Sequence, residues 1–419
     1  MTTTLKPDAL SQSVPALESR HVVQVYRRTP LVVTHGRGSW LYDADGREYL
    51  DLISGIGVAS LGHAHPELAR LVAEQAGTLL HCSNLFFHPY QGQLAERLAA
   101  LSGLPRAFFC NSGTEAMEAC LKFARRYWHT AGDRRRTGIV ALERGFHGRT
   151  FGSLSVTFDP HYREPFAPLL DGVSFVSPED ERAIAAAITE RTGAVVVEAI
   201  QGEGGIRPLS ASFARALQEA CDRTGALLIC DEIQCGLGRT GQAFAFPALN
   251  LRPHLVSIGK ALGAGVPIGA ALVSEEVAGR ISFGDHGSTY GGNLLACRAG
   301  LFFLHQLLEG GVLEHVARMD AFVEGRLKRL AEGHPAVREV RGRGLMWGLD
   351  LDRPAAPVVD AARARHLLVN ATSQTVVRLL PPLTISEEEM DEALHRLDAA
   401  LTDAAGPVAD AGTAAGQNT

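Results

Sequence analysis

No stretch of this 419-residue chain approaches the about 18 to 20 consecutive apolar residues of a membrane-spanning helix. Basic charge is also short. Forty Lys and Arg stand against 46 Asp and Glu, a net charge of −6, so the electrostatic footprint of a nucleic-acid binder is missing and a polyanionic partner is not expected. The seven cysteines, at 82, 110, 120, 221, 230, 235 and 297, contain no C-x-x-C pair. Several lie in apolar runs such as Leu227-Leu228-Ile229-Cys230, where a reduced thiol behaves as a small core residue. An odd count without a framework fits a reducing compartment. Met1 to Val23 lacks the apolar centre of a secretory signal and the Arg-rich, acid-poor face of a transit peptide, so the expected location is cytoplasmic. There is no internal repeat.

What is present is an ordinary globular composition, 46% hydrophobic and 21% charged, in a chain long enough for two to three domains at roughly 150 residues each. Residues 1–20 and 403–419 are polar or Ala/Gly/Thr/Pro-rich without periodicity, and are expected to fray. Between them short β-branched runs alternate with helical patterns, the rhythm of an α/β fold with a mostly parallel sheet covered on both faces. Candidate strands end at Cys110, Leu142, Val176, Glu198, Cys230, Gly259 and Val273. After Thr289 the rhythm changes to long helices, Asn293–Leu308 and Leu313–Leu330, then strand-like segments within Val337–Leu351 and Val376–Leu380. The expected organisation is therefore an N-terminal segment, 21–61, packing with the small domain, a large domain, 62–292, and a smaller α+β domain, 293–402. The last helix carries Ser386 as N-cap and Glu389 three residues on as a capping box, with Met390, Leu394, Leu397 and Leu401 as its core face.

Glycine-rich stretches need sorting before a cofactor is considered. The run Gly263-Ala264-Gly265-Val266-Pro267-Ile268-Gly269 has the wrong last spacing for a dinucleotide fingerprint and a proline where the helix should begin. Gly259-Lys260 lacks the upstream glycine of a Walker A loop, and Ala261 stands where its Ser or Thr would be. His63 and His65 have no companion ligands at a strand end, so no metal is expected and turn or core roles are. A better signal is the strand Arg106–Cys110 running into Asn111-Ser112-Gly113-Thr114-Glu115, after which Met117, Cys120, Leu121, Ala124 and Trp128 recur at helical spacing. A helix N-terminus of that kind offers free N–H groups and the Ser112 and Thr114 hydroxyls to one phosphate; alone, it reads equally well as an N-cap. Two apolar strands then deliver Asp231-Glu232-Ile233-Gln234 and Lys260 at their carboxyl ends, where open α/β sheets bind ligands. A one-phosphate cradle, a lysine and an acid together fit pyridoxal phosphate, which needs a covalent lysine anchor and an anion that keeps its ring nitrogen protonated. Phe146 is available to cover the ring and Gln234 to reach its phenolate oxygen.

The order of these residues resembles the class III aminotransferases, most closely the acetylornithine and ornithine aminotransferase branch. It does so over residues 22–400 and in eight segments: Gly62-His63-Ala64-His65-Pro66, His81-Cys82-Ser83-Asn84, Asn111 to Glu115, Phe146-His147-Gly148-Arg149-Thr150, Glu198 to Gly205, Asp231 to Gln234 with Gly238-Arg239-Thr240-Gly241, Gly259-Lys260-Ala261-Leu262, and His286 to Asn293. The resemblance implies the fold-type I, aspartate aminotransferase-like architecture: a large domain on a seven-stranded, mostly parallel sheet and a smaller α+β domain. It implies that Lys260 anchors the cofactor and shuttles the proton, and that Asp231 holds the pyridinium. Ser112, Gly113, Thr114, Phe146, Glu198 and Gln234 would complete the cofactor site. Thr289 would reach the phosphate in a neighbouring copy, which makes the expected assembly a homodimer with sites at its interface. Arg378 would take the α-carboxylate of glutamate, and Glu203 would pair with it until glutamate arrives. Arg149, with Ser288 nearby, would hold the far carboxylate of a long substrate, and Tyr26 aligns loosely with a pocket-mouth tyrosine. Ala199 and Met117 depart from the usual pattern. The implied reaction moves the ω-amino group of N-acetylornithine to 2-oxoglutarate in arginine biosynthesis. Ornithine, a lysine-pathway precursor or 4-aminobutyrate are alternative donors, and a nicotinamide oxidoreductase or a non-catalytic binding protein are the readings from other classes.

Overall fold

The computed structural model describes residues 7–404. Seven strands form the central sheet: β1 (Arg106–Cys110), β2 (Gly138–Leu142), β3 (Val173–Val176), β4 (Thr192–Val197), β5 (Leu227–Asp231), β6 (Leu255–Ile258) and β7 (Gly269–Val273). Each ends within one residue of the position expected from sequence. Their spatial order is β1-β7-β6-β5-β4-β2-β3. The sheet is parallel except for β7, which runs antiparallel to both β6 and β1. Strands β4 to β7 are buried throughout because helices cover both faces, as parallel sheets require. Alternation along β5 shows the two faces. Leu227 and Ile229 pack with Met117, Phe123 and Tyr127 of the helix Gly113–Thr130, and Leu228 and Cys230 join Phe213 and Leu217 of the helix Ala211–Thr224.

Beyond the sheet, helices Leu294–Leu308 and Val312–Gly333 lead into a four-stranded antiparallel sheet of Val337–Arg343, Met346–Leu351, Val376–Leu379 and Asn370–Thr372. The strands Val33–Arg37, Trp40–Asp43 and Glu48–Asp51 form a separate sheet completed by Leu367–Leu368, which pairs parallel with Glu48–Asp51. The helix Glu387–Ala404 opens with the expected reciprocal box: Glu389 N donates to Ser386 Oγ and Ser386 N donates to Glu389 Oε2, both at 3.1 Å. Glu389 also accepts from Ser39 Oγ and Trp40 Nε1 at 2.9 Å, so this cap ties the start of the strand Trp40–Asp43 to the last helix. Part of the stretch expected to fray, within residues 1–20, is instead a helix, Pro7–His21. It lacks an apolar stripe, which is why periodicity does not find it, and Arg20 and His21 complement its carboxyl end. Of the other frayed expectations, residues 1–6 and 405–419 lie outside the described residues. Among the described residues no helix is long and apolar enough to cross a membrane, and all seven cysteines are free thiols.

Candidate functional site

A cavity of about 260 Å³ opens at the carboxyl ends of β1, β5 and β6. Gly113, Thr114, Phe146, Arg149, Glu198, Glu203, Asp231, Gln234 and Lys260 line it, together with His147, Gly148 and Ile233. Ser112, Arg378, Ser288 and Thr289 do not.

The helix Gly113–Thr130 aims its first N–H groups, which have no intrahelical acceptors, at this cavity. A Cβ on Gly113 would stand 2.8 Å from two carbons of Ile233, so only glycine allows the backbone so close. The two hydroxyls expected as phosphate donors are committed elsewhere. Ser112 caps the helix, its Oγ accepting from Glu115 N at 3.4 Å. Thr114 Oγ1 accepts from Arg149 N and Thr150 N at 3.3 Å and bonds Ser153 Oγ at 2.7 Å.

Asp231 ends β5 as a buried carboxylate held by three hydrogen-bond partners. Its Oδ1 accepts from Ile233 N and Ser257 Oγ, each at 3.1 Å, and its Oδ2 faces His147 Nδ1 at 2.7 Å. His147 belongs to the site although the sequence motif that contains it assigns it no role. Its burial disfavours the imidazolium, but the hydrogen bond and charge of Asp231 outweigh that, so its pKa is raised. Its Nε2 is buried without a partner and its amide is fixed on Thr157 Oγ1 at 2.9 Å.

Lys260 follows β6 with φ +40°, a left-handed conformation that a lysine adopts only when its surroundings impose it. Desolvation lowers the pKa of its amine, opposed by Glu203 and Asp231, which leaves more neutral amine near pH 7 than an exposed lysine would hold. Glu198 acts as a strut. Its two oxygens accept from Phe146 N and Gly202 N, both at 3.0 Å, and burial lifts its pKa to about 7.

Glu203 and the fully buried Arg378 form an ion pair at 2.5 Å, and Arg378 also reaches Asn370 Oδ1 and Gln234 Oε1 at 3.3 Å. Burial would raise the Glu203 pKa, but the charge and hydrogen bond of Arg378 prevail and lower it. Gln234, expected to face a phenolate oxygen, is therefore engaged with this pair, donating to Glu203 Oε1 at 3.4 Å as well. The small domain holds the Glu203 carbonyl through Thr372 Oγ1 and Ser373 Oγ. Arg149 lies at the mouth with its guanidinium 3.6 Å from the Tyr162 ring centre and 5.6 Å from that of Phe146, and has no carboxylate partner among the described residues. Ser288 Oγ accepts from Gly291 N at 3.0 Å and faces Asn111 Nδ2 at 3.4 Å; Thr289 is exposed away from the cavity, as is Tyr26. His63 pairs with Asp51 at 2.8 Å and His65 caps the helix Pro66–Thr78, and no cluster of three metal-ligating side chains occurs among the described residues.

Glu232, next to Asp231, points away from the cavity and binds Ala245 N at 2.9 Å and Phe246 N at 2.7 Å. Its burial raises the carboxyl pKa from 4.5 to about 7. Between those values the unfolded chain binds fewer protons than the folded one, so this group's contribution to stability falls as pH rises. The melting temperature of the wild type minus that of Glu232→Gln should therefore decrease from about pH 4.5 to about pH 7 and level off above it. A difference independent of pH would contradict the assignment.

A family profile described as aminotransferase class-III matches residues 22–401. The chain is 42% identical over 393 residues to a protein of Methanocaldococcus jannaschii named acetylornithine aminotransferase, covering 92% of this chain and 97% of that one. It is 45% identical over 380 residues to the acetylornithine aminotransferase of Rhodobacter capsulatus, covering 90% and 97%. The solved ornithine aminotransferase of Toxoplasma gondii, described with partial occupancy of PLP at its active site, superposes with a TM-score of 0.90 at 30% identity over 94% of each chain.

Proposed function

The chain belongs to the class III aminotransferases, and from that premise we propose that it moves the ω-amino group of N2-acetyl-L-ornithine to 2-oxoglutarate. The products are N-acetylglutamate 5-semialdehyde and L-glutamate, a step of arginine biosynthesis, and the cofactor is pyridoxal 5′-phosphate. The observation that carries this reading is the convergence of Asp231, Lys260 and the helix start at Gly113 on one cavity, whose lining also includes Glu203, paired with the buried Arg378 behind it, and Arg149, which has no carboxylate partner among the described residues. These residues fit the cofactor by their chemistry: N–H donors for a phosphate, a desolvated amine, a buried oriented carboxylate and a flat ring at Phe146.

When bound, pyridoxal phosphate supplies an electron sink for the pair released at the carbon that carries the amine. Asp231, oriented by His147, Ser257 and the Ile233 amide, holds a proton at the ring nitrogen. Lys260 Nζ takes and returns the proton at the reacting carbon, a task for which a lowered pKa suits it. Arg149 receives the far carboxylate of the donor. Glu203 neutralises Arg378 while the uncharged flank of an ω-amine occupies the site, and yields it to the α-carboxylate of glutamate, which a guanidinium grips bidentately. A homodimer belongs to the same reading. Phe86, Phe87, Phe283 and Tyr290 are large apolar side chains left exposed on this chain, as an uncovered interface would leave them, and Thr289 lies outside its own cavity. The seven unpaired thiols, six of them buried, support a location in a reducing compartment, the cytoplasm.

The test is spectroscopic. Without a keto acid, N-acetylornithine should bleach the visible band of the purified enzyme at far lower concentration than ornithine or 4-aminobutyrate. Glu203→Gln should shift the ratio of reactivities toward glutamate by about tenfold, a differential of about 1.4 kcal/mol. Preference for another amine would replace the donor, the lack of a visible band after incubation with pyridoxal phosphate would remove the cofactor, and an unchanged ratio would sink the exchange at Arg378.

A further inference from the structure

Thr114 and Glu118 lie one turn apart on the helix Gly113–Thr130, facing the segment 148–153 that carries Arg149. A single oxygen of Glu118, Oε1, accepts three hydrogen bonds from that segment: Thr150 Oγ1 at 2.5 Å, Gly152 N at 2.7 Å and Ser153 N at 3.0 Å. Thr114 Oγ1 takes the amides of Arg149 and Thr150. Neither contact has slack. A Cβ on Gly152 would stand 2.2 Å from Glu118 Oε2, and Gly148, at φ +134°, would place one 2.3 Å from Thr114 Oγ1. The backbone on both sides of Arg149 is thus pinned to one helix, while its guanidinium is stacked on Tyr162 and has no carboxylate partner among the described residues.

We infer that Glu118 is a specificity-determining positioning residue. By docking 148–153 on the helix whose first residues line the cofactor end of the cavity, it sets the distance between the Arg149 guanidinium and Lys260, and so the length of donor whose terminal amine and far carboxylate are engaged together. This rests on the reading of Arg149 as the anchor for that carboxylate. Charge-assisted hydrogen bonds are the strong ones, and a carboxylate that receives three of them resists local displacement. An ångström of drift in a positioning group is enough to weaken a substrate held at both ends.

The experiment compares Glu118→Ala, Glu118→Gln, Arg149→Ala and the double variant Glu118→Ala/Arg149→Ala, each loaded with pyridoxal phosphate. The amines are N-acetylornithine and pentylamine, which lacks a carboxylate. Glu118→Ala should raise KM for N-acetylornithine about tenfold with kcat and the visible band nearly unchanged, and leave pentylamine turnover within about twofold. Glu118→Gln, which keeps an acceptor in place, should recover most of the loss. In the Arg149→Ala background the Glu118→Ala change should add almost nothing, because the anchor it positions is gone. Equal losses on both amines, a loss that adds in full to that of Arg149→Ala, or an unchanged KM would overturn the inference. If Glu118→Ala does not fold, the cycle is run with Glu118→Gln, whose smaller penalty must likewise vanish without Arg149. A normal donor KM in Arg149→Ala would overturn the reading of Arg149 and this inference with it, whereas a raised KM there and none in the Glu118 variants would overturn only the role of Glu118.

Discussion

Lys260→Ala should reduce turnover of N-acetylornithine with 2-oxoglutarate by at least about 10⁴-fold, while the protein keeps its fold and still takes up pyridoxal phosphate. General acid–base transfer by a positioned group is worth roughly 10²- to 10⁴-fold by itself, and the covalent anchorage expected of the same amine adds to it. Among the residues that line the cavity Lys260 is the one amine, so no other side chain there can serve as both covalent anchor and base. Its backbone is held at φ +40°, and alanine in that position should relieve none of the strain, because the conformation is imposed by the tight turn after β6 and a Cβ remains. The melting temperature should therefore stay close to that of the wild type. Two measurements check the result: initial rates in both directions, and the mass of the chain after borohydride treatment, which should carry the cofactor in the wild type and not in the variant. Turnover within tenfold of the wild type would remove Lys260 from the chemistry.

The large domain was legible because its signals are local. A strand buried on both faces must read as an apolar run, and the residues that interrupt such runs at their carboxyl ends, Asp231 and Lys260, are the ones the structure brings to the cavity. The strands Val33–Arg37 to Glu48–Asp51 were not legible, since they are short and partly exposed and one partner, Leu367–Leu368, is more than 300 residues away. Side-chain commitments were illegible for the same reason. A hydroxyl at a helix start reads as a phosphate donor, yet the loop that claims Thr114 Oγ1 arrives 35 residues later, and Gln234 is claimed by Arg378, 144 residues on. His147 illustrates the remaining gap. It stands in a loop already rich in charge, with Glu143 and Arg144 before it and Arg149 after, and the carboxylate that gives it a role, Asp231, lies 84 residues on.

Asp231→Asn isolates what that histidine does. The substitution keeps the shape of the side chain and removes its charge, so the buried His147 loses the main partner that raises its pKa, and burial, opposed only by the charge of Glu198, then acts to lower it. Breaking a buried pair by removing one member costs about 3–5 kcal/mol. If the same charge stabilises a protonated ring nitrogen during the reaction, kcat should fall by roughly 10²- to 10⁴-fold, with KM for N-acetylornithine changed far less because Arg149 still anchors the donor. The stability readout has a definite sign. A histidine whose folded pKa is raised contributes stability fully below about pH 6.5, and that contribution is lost as pH rises through the folded value. The melting temperature of the wild type should therefore exceed that of Asp231→Asn most in mild acid, and the gap should narrow toward alkaline pH. Serine at 257 and the Ile233 amide can bond an amide oxygen as well as a carboxylate, so they hold the asparagine in place and leave charge as the variable. A variant with near-normal kcat would mean that the carboxylate only supports the fold, and a gap that widened with rising pH would mean that His147 is neutral in the folded enzyme.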